Sequence, residues 1–248
     1  MIEIKNVNKN FGETSILRDV SFVCEEGKTN LIIGGSGSGK TVLMKCIVGL
    51  FEIDNGGIYY HGRSFSELNF TERKEIRKEI GMVFQGGALF DSMTVEENLA
   101  FPLTMFTDMN KNDKRDRVNF CLSRVNLENV NKKFPSELSG GMKKRVAIAR
   151  AIVMNPKYLF CDEPNSGLDP QTSIVIDNLI MEITQEYGIT TLINTHDMNS
   201  VLEHGDKIFF IYKGQLWWEG DKETVLTASN KELRDLVFAS KILREFRK

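Results

Sequence analysis

The chain has 248 residues, 41% of them hydrophobic, enough to bury one sizeable core, so a single domain over 1–248 is the expectation. Its 32 basic and 34 acidic residues nearly cancel, which excludes a surface built to coat nucleic acid or anionic lipid. No apolar run reaches the roughly eighteen residues a membrane helix needs, and the opening Met1 to Lys5 lacks a leader pattern, so a cytoplasmic location is expected.

In chain order, alternation at Ile2 and Ile4, the run Val20 to Cys24 and the run Gly57 to His61 predict an antiparallel β element at the front. Between them, Thr29 to Ile33 reads as a strand closed by a glycine-rich turn. Val42, Leu43, Cys46, Ile47 and Leu50 follow in helical spacing. From about 86 to 155 the pattern turns helical and charged, which predicts a helical subdomain inserted in the core, with Thr107 to Arg117 its most exposed stretch. Strand Tyr158 to Cys161, helix Gln171 to Tyr187 and strand Thr190 to Asn194 then alternate, as in a mainly parallel sheet. Lys207 to Tyr212 and Gln215 to Glu219 form a hairpin across Lys213-Gly214, and 230–248 reads as one amphipathic, charged helix. Cys24, Cys46, Cys121 and Cys161 are scattered without a Cys-x-x-Cys pair, which argues for reduced, buried thiols rather than a zinc or redox motif.

The chemistry starts at Gly34, Gly35, Ser36, Gly37, Ser38, Gly39, Lys40 and Thr41, with Val42 behind them: two glycines at fixed spacing, then Lys and Thr, between a strand and a helix. Such a loop turns successive backbone N–H groups and the helix dipole onto phosphates. Lys40 then neutralises the β- and γ-phosphates and the Thr41 hydroxyl binds magnesium. Tyr158-Leu159-Phe160-Cys161-Asp162-Glu163 is an apolar strand ending in two acids. Alternation along it gives Asp162 to the magnesium shell and Glu163 to a water in line with the γ-phosphate. At Ser139-Gly140-Gly141, a serine caps a helix and two glycines leave N–H groups open to an anion. Lys143, Lys144 and Arg145 crowd the first turn against the helix dipole, a broken rule of the kind that marks a site.

Leu138-Ser139-Gly140-Gly141-Met142 resembles the signature motif of ABC ATPases, and features of that family follow in its order over 11–197. The resemblance covers nearly the whole chain. It implies a P-loop NTPase core of α/β class with a mainly parallel sheet, an N-terminal antiparallel β element and a helical insertion. It implies ATP and Mg2+ as cofactors. Phe11 stands where these ATPases stack adenine, although it could simply pack in the β element. Gln85 stands at their Q-loop, beside the magnesium, and could otherwise be a polar loop residue. Ser166-Gly167-Leu168-Asp169 is similar to the D-loop, although Asp169 before Pro170 could be a plain helix cap. Thr195-His196-Asp197 is similar to the loop whose histidine holds the γ-phosphate, although His196 could be a lone loop histidine. Met142 and Gly167 depart from the family's usual glutamine and alanine.

By the same resemblance each site takes Phe11, Lys40, Thr41, Gln85, Asp162, Glu163 and His196 from one copy, and Ser139 and Gly141 from a second. An integral membrane permease docks near Gln85 and the helical subdomain, which puts the subunit peripherally on the cytoplasmic face of the inner membrane. The stretch 86–95, Thr41-Val42-Leu43-Met44 and Met142 are most similar to Mla-type ATPases, which energise phospholipid transport with MCE-domain proteins. A non-transport ABC ATPase acting on DNA or in cofactor assembly, and a cell-division scaffold, are the other readings. The lack of a long coiled coil, a second cassette or a basic stripe counts against nucleic acid as a partner.

Overall fold

A computed structural model describes residues 1–239, so most of the second half of the expected tail helix lies outside the described residues. The chain divides into two compact units, one made of Met1–Arg73 and the stretch from Thr190, the other of Lys74–Ile189. Along the chain, the first unit runs β1 (Ile2–Phe11), β2 (Thr14–Cys24), β3 (Thr29–Ile33), α1 (Lys40–Ile47), β4 (Asn55–Tyr60) and β5 (Arg63–Ser64). Helix α2 (Phe70–Lys78) carries the chain onward to β6 (Ile80–Val83), α3 (Val95–Phe106), α4 (Lys111–Arg124), α5 (Gly140–Ile152), β7 (Tyr158–Asp162) and α6 (Pro170–Tyr187). The return brings β8 (Thr190–Asn194), α7 (Met198–His204), β9 (Lys207–Tyr212), β10 (Gln215–Gly220) and α8 (Lys231–Val237).

In the first unit the front strands form an antiparallel sheet in the order β2-β1-β4-β5. Ile2 faces Cys24 and Tyr60, and Ile4 faces Phe22 and Ile58, so one face of the alternation is buried. A second set of strands runs β10-β9-β3-β8, with β3 parallel to both neighbours. β3 and β8 are buried along their whole length, as central parallel strands are. Asn30 is tolerated there because every arm is used: Oδ1 accepts from Glu25 N at 2.9 Å, and Nδ2 donates to the carbonyls of Glu25, Lys28 and Thr191 at 3.0–3.1 Å. β9 and β10 join in the expected hairpin through Lys213 and Gly214, both at positive φ (49° and 77°).

The second unit holds the parallel pair β6 and β7, in register Val83 to Cys161. The expected helical stretch 86–155 contains α3, α4 and α5, and Thr107 to Arg117 is largely exposed around the Asn110 cap of α4. Thr94 and Glu97 close a capping box at the start of α3. Asn98, fully buried, clamps the preceding loop: Oδ1 accepts from Phe90 N at 2.8 Å, and Nδ2 donates to the carbonyls of Phe90, Met93 and Thr94 at 3.0–3.1 Å. The sequence reading had no place for α2, β6 or α7. In the tail, helix α8 closes at Phe238 (φ −91°, ψ 19°), earlier than the single long helix expected.

Candidate functional site

In the first unit β3 delivers the chain into the glycine loop. A Cβ on Gly34 would sit 2.3 Å from the Ile211 carbonyl oxygen and 2.7 Å from Ser38 Oγ, so the loop closes this tightly only with glycine there. Gly39 caps α1 in the left-handed region (φ 105°) and lays no side chain over the first turn. Lys40 is 8% exposed, and its Nζ donates to the carbonyls of Gly34 at 2.8 Å and Gly35 at 3.1 Å. Ser38 Oγ is buried without a hydrogen-bond partner among the described residues. A tight turn that only glycine allows at Gly34, an ammonium group and an orphaned hydroxyl together fit the oxygens of a triphosphate. Thr41 is exposed on the first turn of α1, with Val42 half-buried beside it.

β8 runs parallel to β3 in register Asn194 to Ile32, and Thr195 N donates to Ile32 O at 3.1 Å. His196 and the glycine loop therefore leave the carboxyl ends of adjacent parallel strands, where open α/β sheets bind ligands. His196 is exposed, and Asp197 caps α7 by accepting from Asn199 N at 2.9 Å. At the end of β1, Phe11 meets Phe51 edge to face at 5.4 Å and has Lys9 Nζ 5.3 Å from its ring centroid. It remains 45% exposed, which leaves area for another ring to stack.

In the second unit the two acids part company. Asp162 ends β7 and is 6% exposed, whereas Glu163 is off the strand in the left-handed region, φ 47°. Strand alternation therefore does not separate their directions, as the sequence had suggested; the backbone turn after Asp162 does. Gln85 lies two residues past β6, and its Nε2 donates to Glu163 Oε2 at 2.9 Å and to Ser166 Oγ at 3.4 Å. Asp169 is the helix cap that Pro170 suggested, and its carboxylate accepts from the Thr172 hydroxyl at 2.6 Å and Thr172 N at 3.0 Å. Those bonds, the hydroxyl's first, hold its carboxyl below the usual aspartate range.

Ser139 Oγ accepts from Met142 N at 3.3 Å and caps α5, with Gly140 and Gly141 as the first helical residues. The cations behind them need another explanation than an anion at the first turn. Arg145 Nη1 donates to Asn126 O at 2.9 Å, and Lys144 is buried onto the carbonyls of Gln85 and Glu163. Burial lowers the pKa of Lys144, opposed by nearby Cys161 and Glu163, and desolvation likewise lowers that of Arg150. Arg150 donates through Nη1 to Ala88 O and through Nη2 to Gly87 O, both at 2.8 Å. No spacing rule singles out Lys144 or Arg150 as partners of that loop; three cations at a helix start were the only signal.

A groove of about 320 Å³ in the second unit is walled by Phe84, Phe90, Phe101 and Phe106 and rimmed by Arg77 and Arg150. Among the described residues no three His, Cys, Asp or Glu side chains cluster as a metal cage. Magnesium at nucleotide sites needs none, since one or two protein oxygens and the phosphates suffice, and Thr41 and Asp162 are donors of that kind. All four cysteines are buried and unpaired, and burial pushes each thiol up, Cys46 and Cys121 to about 11. They are thiols at neutral pH, as expected. Among the described residues no helix is long and apolar enough to cross a membrane.

Residues 17–166 match the family described as ABC transporter. The chain is 38% identical to the probable ribonucleotide transport ATP-binding protein mkl of Mycobacterium leprae, over 97% of this chain and 70% of that protein. It is 39% identical to the methionine import ATP-binding protein MetN of Clostridium tetani, over 98% of this chain and 76% of that one. Among solved structures it resembles the ATP-binding cassette MJ0796 in a dimeric post-hydrolysis state bound to ADP and Pi, at 33% identity and a TM-score of 0.82, covering 90% of this chain and 99% of that one. It also resembles cbiO1 from Clostridium perfringens, part of the transporter complex cbiONQ, at 29% identity and a TM-score of 0.85, covering 100% and 98%.

Proposed function

This chain belongs to the ABC transporter family, and from that premise we propose that it is the motor subunit of a membrane complex that moves phospholipid with an MCE-type system. It binds ATP with Mg2+ and hydrolyses ATP, and its fold is that of the ABC ATPases: a P-loop core with a mainly parallel sheet and an N-terminal antiparallel sheet. In this reading 1–248 is one ATPase domain with its helical part at about 86–155. Phe11 stacks the adenine, the loop from Gly34 to Val42 wraps the phosphates, and Lys40 neutralises them. Thr41, Gln85 and Asp162 face the magnesium, Glu163 orients the attacking water, and His196 holds the γ-phosphate. Gly140 and Asp169 also belong to the nucleotide site, Ser139 and Gly141 come from a second copy, and the dimeric cassettes among the solved relatives support a paired arrangement.

The observation that carries the nucleotide reading is the glycine cradle with Lys40 and the unpartnered Ser38 hydroxyl. For the transport reading it is the groove in the second unit, lined by Phe84, Phe90, Phe101 and Phe106 together with Arg77 and Arg150, which suits a helix of an integral membrane permease. The subunit then works peripherally, on the cytoplasmic face of the inner membrane. Phospholipid as cargo rests on the resemblance at 86–95, 41–44 and Met142; the relatives named for ribonucleotide transport and methionine import supply the rival cargoes. Affinity purification from membranes in mild detergent tests both steps. A co-purifying permease with an MCE-domain protein, and turnover of the complex stimulated by phospholipid, is the expected result. Isolation without any membrane partner removes the transport reading in favour of a non-transport or division-type ATPase, and stimulation by methionine or a ribonucleotide instead replaces the cargo.

A further inference from the structure

Lys144 lies in the second turn of α5, 7% exposed, and its partners among the described residues are unusual for a buried cation: no carboxylate oxygen, but two backbone carbonyls on two different loops. Nζ donates to Gln85 O and, at 3.4 Å, to Glu163 O. The side chains of those same two residues meet, Gln85 Nε2 on Glu163 Oε2 at 2.9 Å. Lys144 thus closes a ring, gripping by the backbone two residues that grip each other by the side chain. Glu163 needs such a grip, because φ 47° is a sparsely populated region for a residue with a Cβ. Arg150, further along α5, holds the next carbonyls of the same loop, those of Gly87 and Ala88. The helix that begins at the Ser139 cap is therefore fastened to both ends of the segment 85–88 and to the turn that aims Glu163.

We propose that Lys144 is a positioning residue for ATP hydrolysis, holding Gln85 and Glu163 in register with α5 so that the Glu163 carboxylate is aimed where the attacking water lies. This rests on the roles given to Gln85 and Glu163 above. Lys144 touches neither nucleotide nor water in this scheme and acts through the two residues it holds.

The test compares wild type, Lys144→Met, which keeps the length and removes the donors, and Lys144→Arg, which keeps the donors, all as the full chain. ATP turnover is measured alongside titration with a fluorescent ATP analogue and a thermal melt. Lys144→Met is expected to bind the analogue within about twofold of wild type and to lose turnover about tenfold to a hundredfold, the scale of a small misplacement of a reacting group. Lys144→Arg recovers at least half of the loss. Met-variant turnover equal to wild type overturns the inference alone, as does a parallel loss of affinity, turnover and cooperative melting, which marks a plain structural strut. Wild-type protein that fails to turn over ATP in the same assay overturns the ATPase reading itself, and this inference with it.

Discussion

Lys40 and Glu163 are held in opposite ways, and their substitutions should fail in opposite ways. The Lys40 ammonium already sits between the carbonyls of Gly34 and Gly35, ready for phosphate oxygens that compete for the same donors. Lys40→Ala removes a charge-assisted contact made in the ground state, so nucleotide affinity should fall about tenfold to a hundredfold in a fluorescent-analogue titration. Unchanged affinity would take Lys40 out of the phosphate site. In its proposed role Glu163 makes its contribution at the reacting water, and Glu163→Gln keeps the shape and a partner for Gln85. Turnover should drop on the order of a hundredfold to ten-thousandfold while binding persists. A variant that hydrolyses ATP near the wild-type rate would sink the assignment.

At the scale of elements, the loop between β6 and α3 is held in its first half by Lys144 and Arg150 and in its second half, Phe90 to Thr94, by Asn98. Asn98 satisfies four backbone groups across Phe90, Met93 and Thr94 from a fully buried position. Asn98→Ala takes the partner from Phe90 N and Met93 O, while Phe90 O and Thr94 O keep bonds from Met93 N and Asn98 N, and should cost about 2 kcal/mol of stability by urea unfolding; a loss under about 0.5 kcal/mol would mean this part of the loop is held elsewhere. Elements with strong local signals could be read from sequence. β3 was found at Thr29–Ile33 because its apolar run Leu31-Ile32-Ile33 ends in glycine, as a buried parallel strand does, and the Ser139 and Asp169 caps because capping is a contact within four residues. α2 escaped because it is almost wholly polar, with only Ile76 buried, and β6 because four residues are too few to show a period. The positive φ of Glu163 and the burial of Lys144 escaped for a different reason: both are imposed by contacts between residues far apart in the chain, here 59 and 78 positions.

At the scale of the molecule, the residues assigned to the nucleotide do not balance within one chain. The glycine loop and His196 leave the carboxyl ends of β3 and β8, whereas Ser139 belongs to the other compact unit and caps α5 there. A capped helix with two glycines in its first turn is suited to an anion that this chain need not itself hold. In the proposed shared site a second copy supplies that anion, and a post-hydrolysis relative bound to ADP and Pi is itself dimeric. If ATP joins two copies, stopping hydrolysis should trap the pair. Glu163→Gln with ATP and Mg2+ should therefore elute at twice the 28.2 kDa chain mass, and with ADP at the single mass. If the proposed shared site is right, adding Ser139→Glu sets a carboxylate against the partner's γ-phosphate, where like charges a few ångströms apart repel strongly in a site shielded from water. The double variant should elute as a monomer with ATP while still binding the fluorescent analogue through its own glycine loop. A double variant that stays dimeric would mean that Ser139 does not face the partner's phosphates, and the shared site would have to be abandoned.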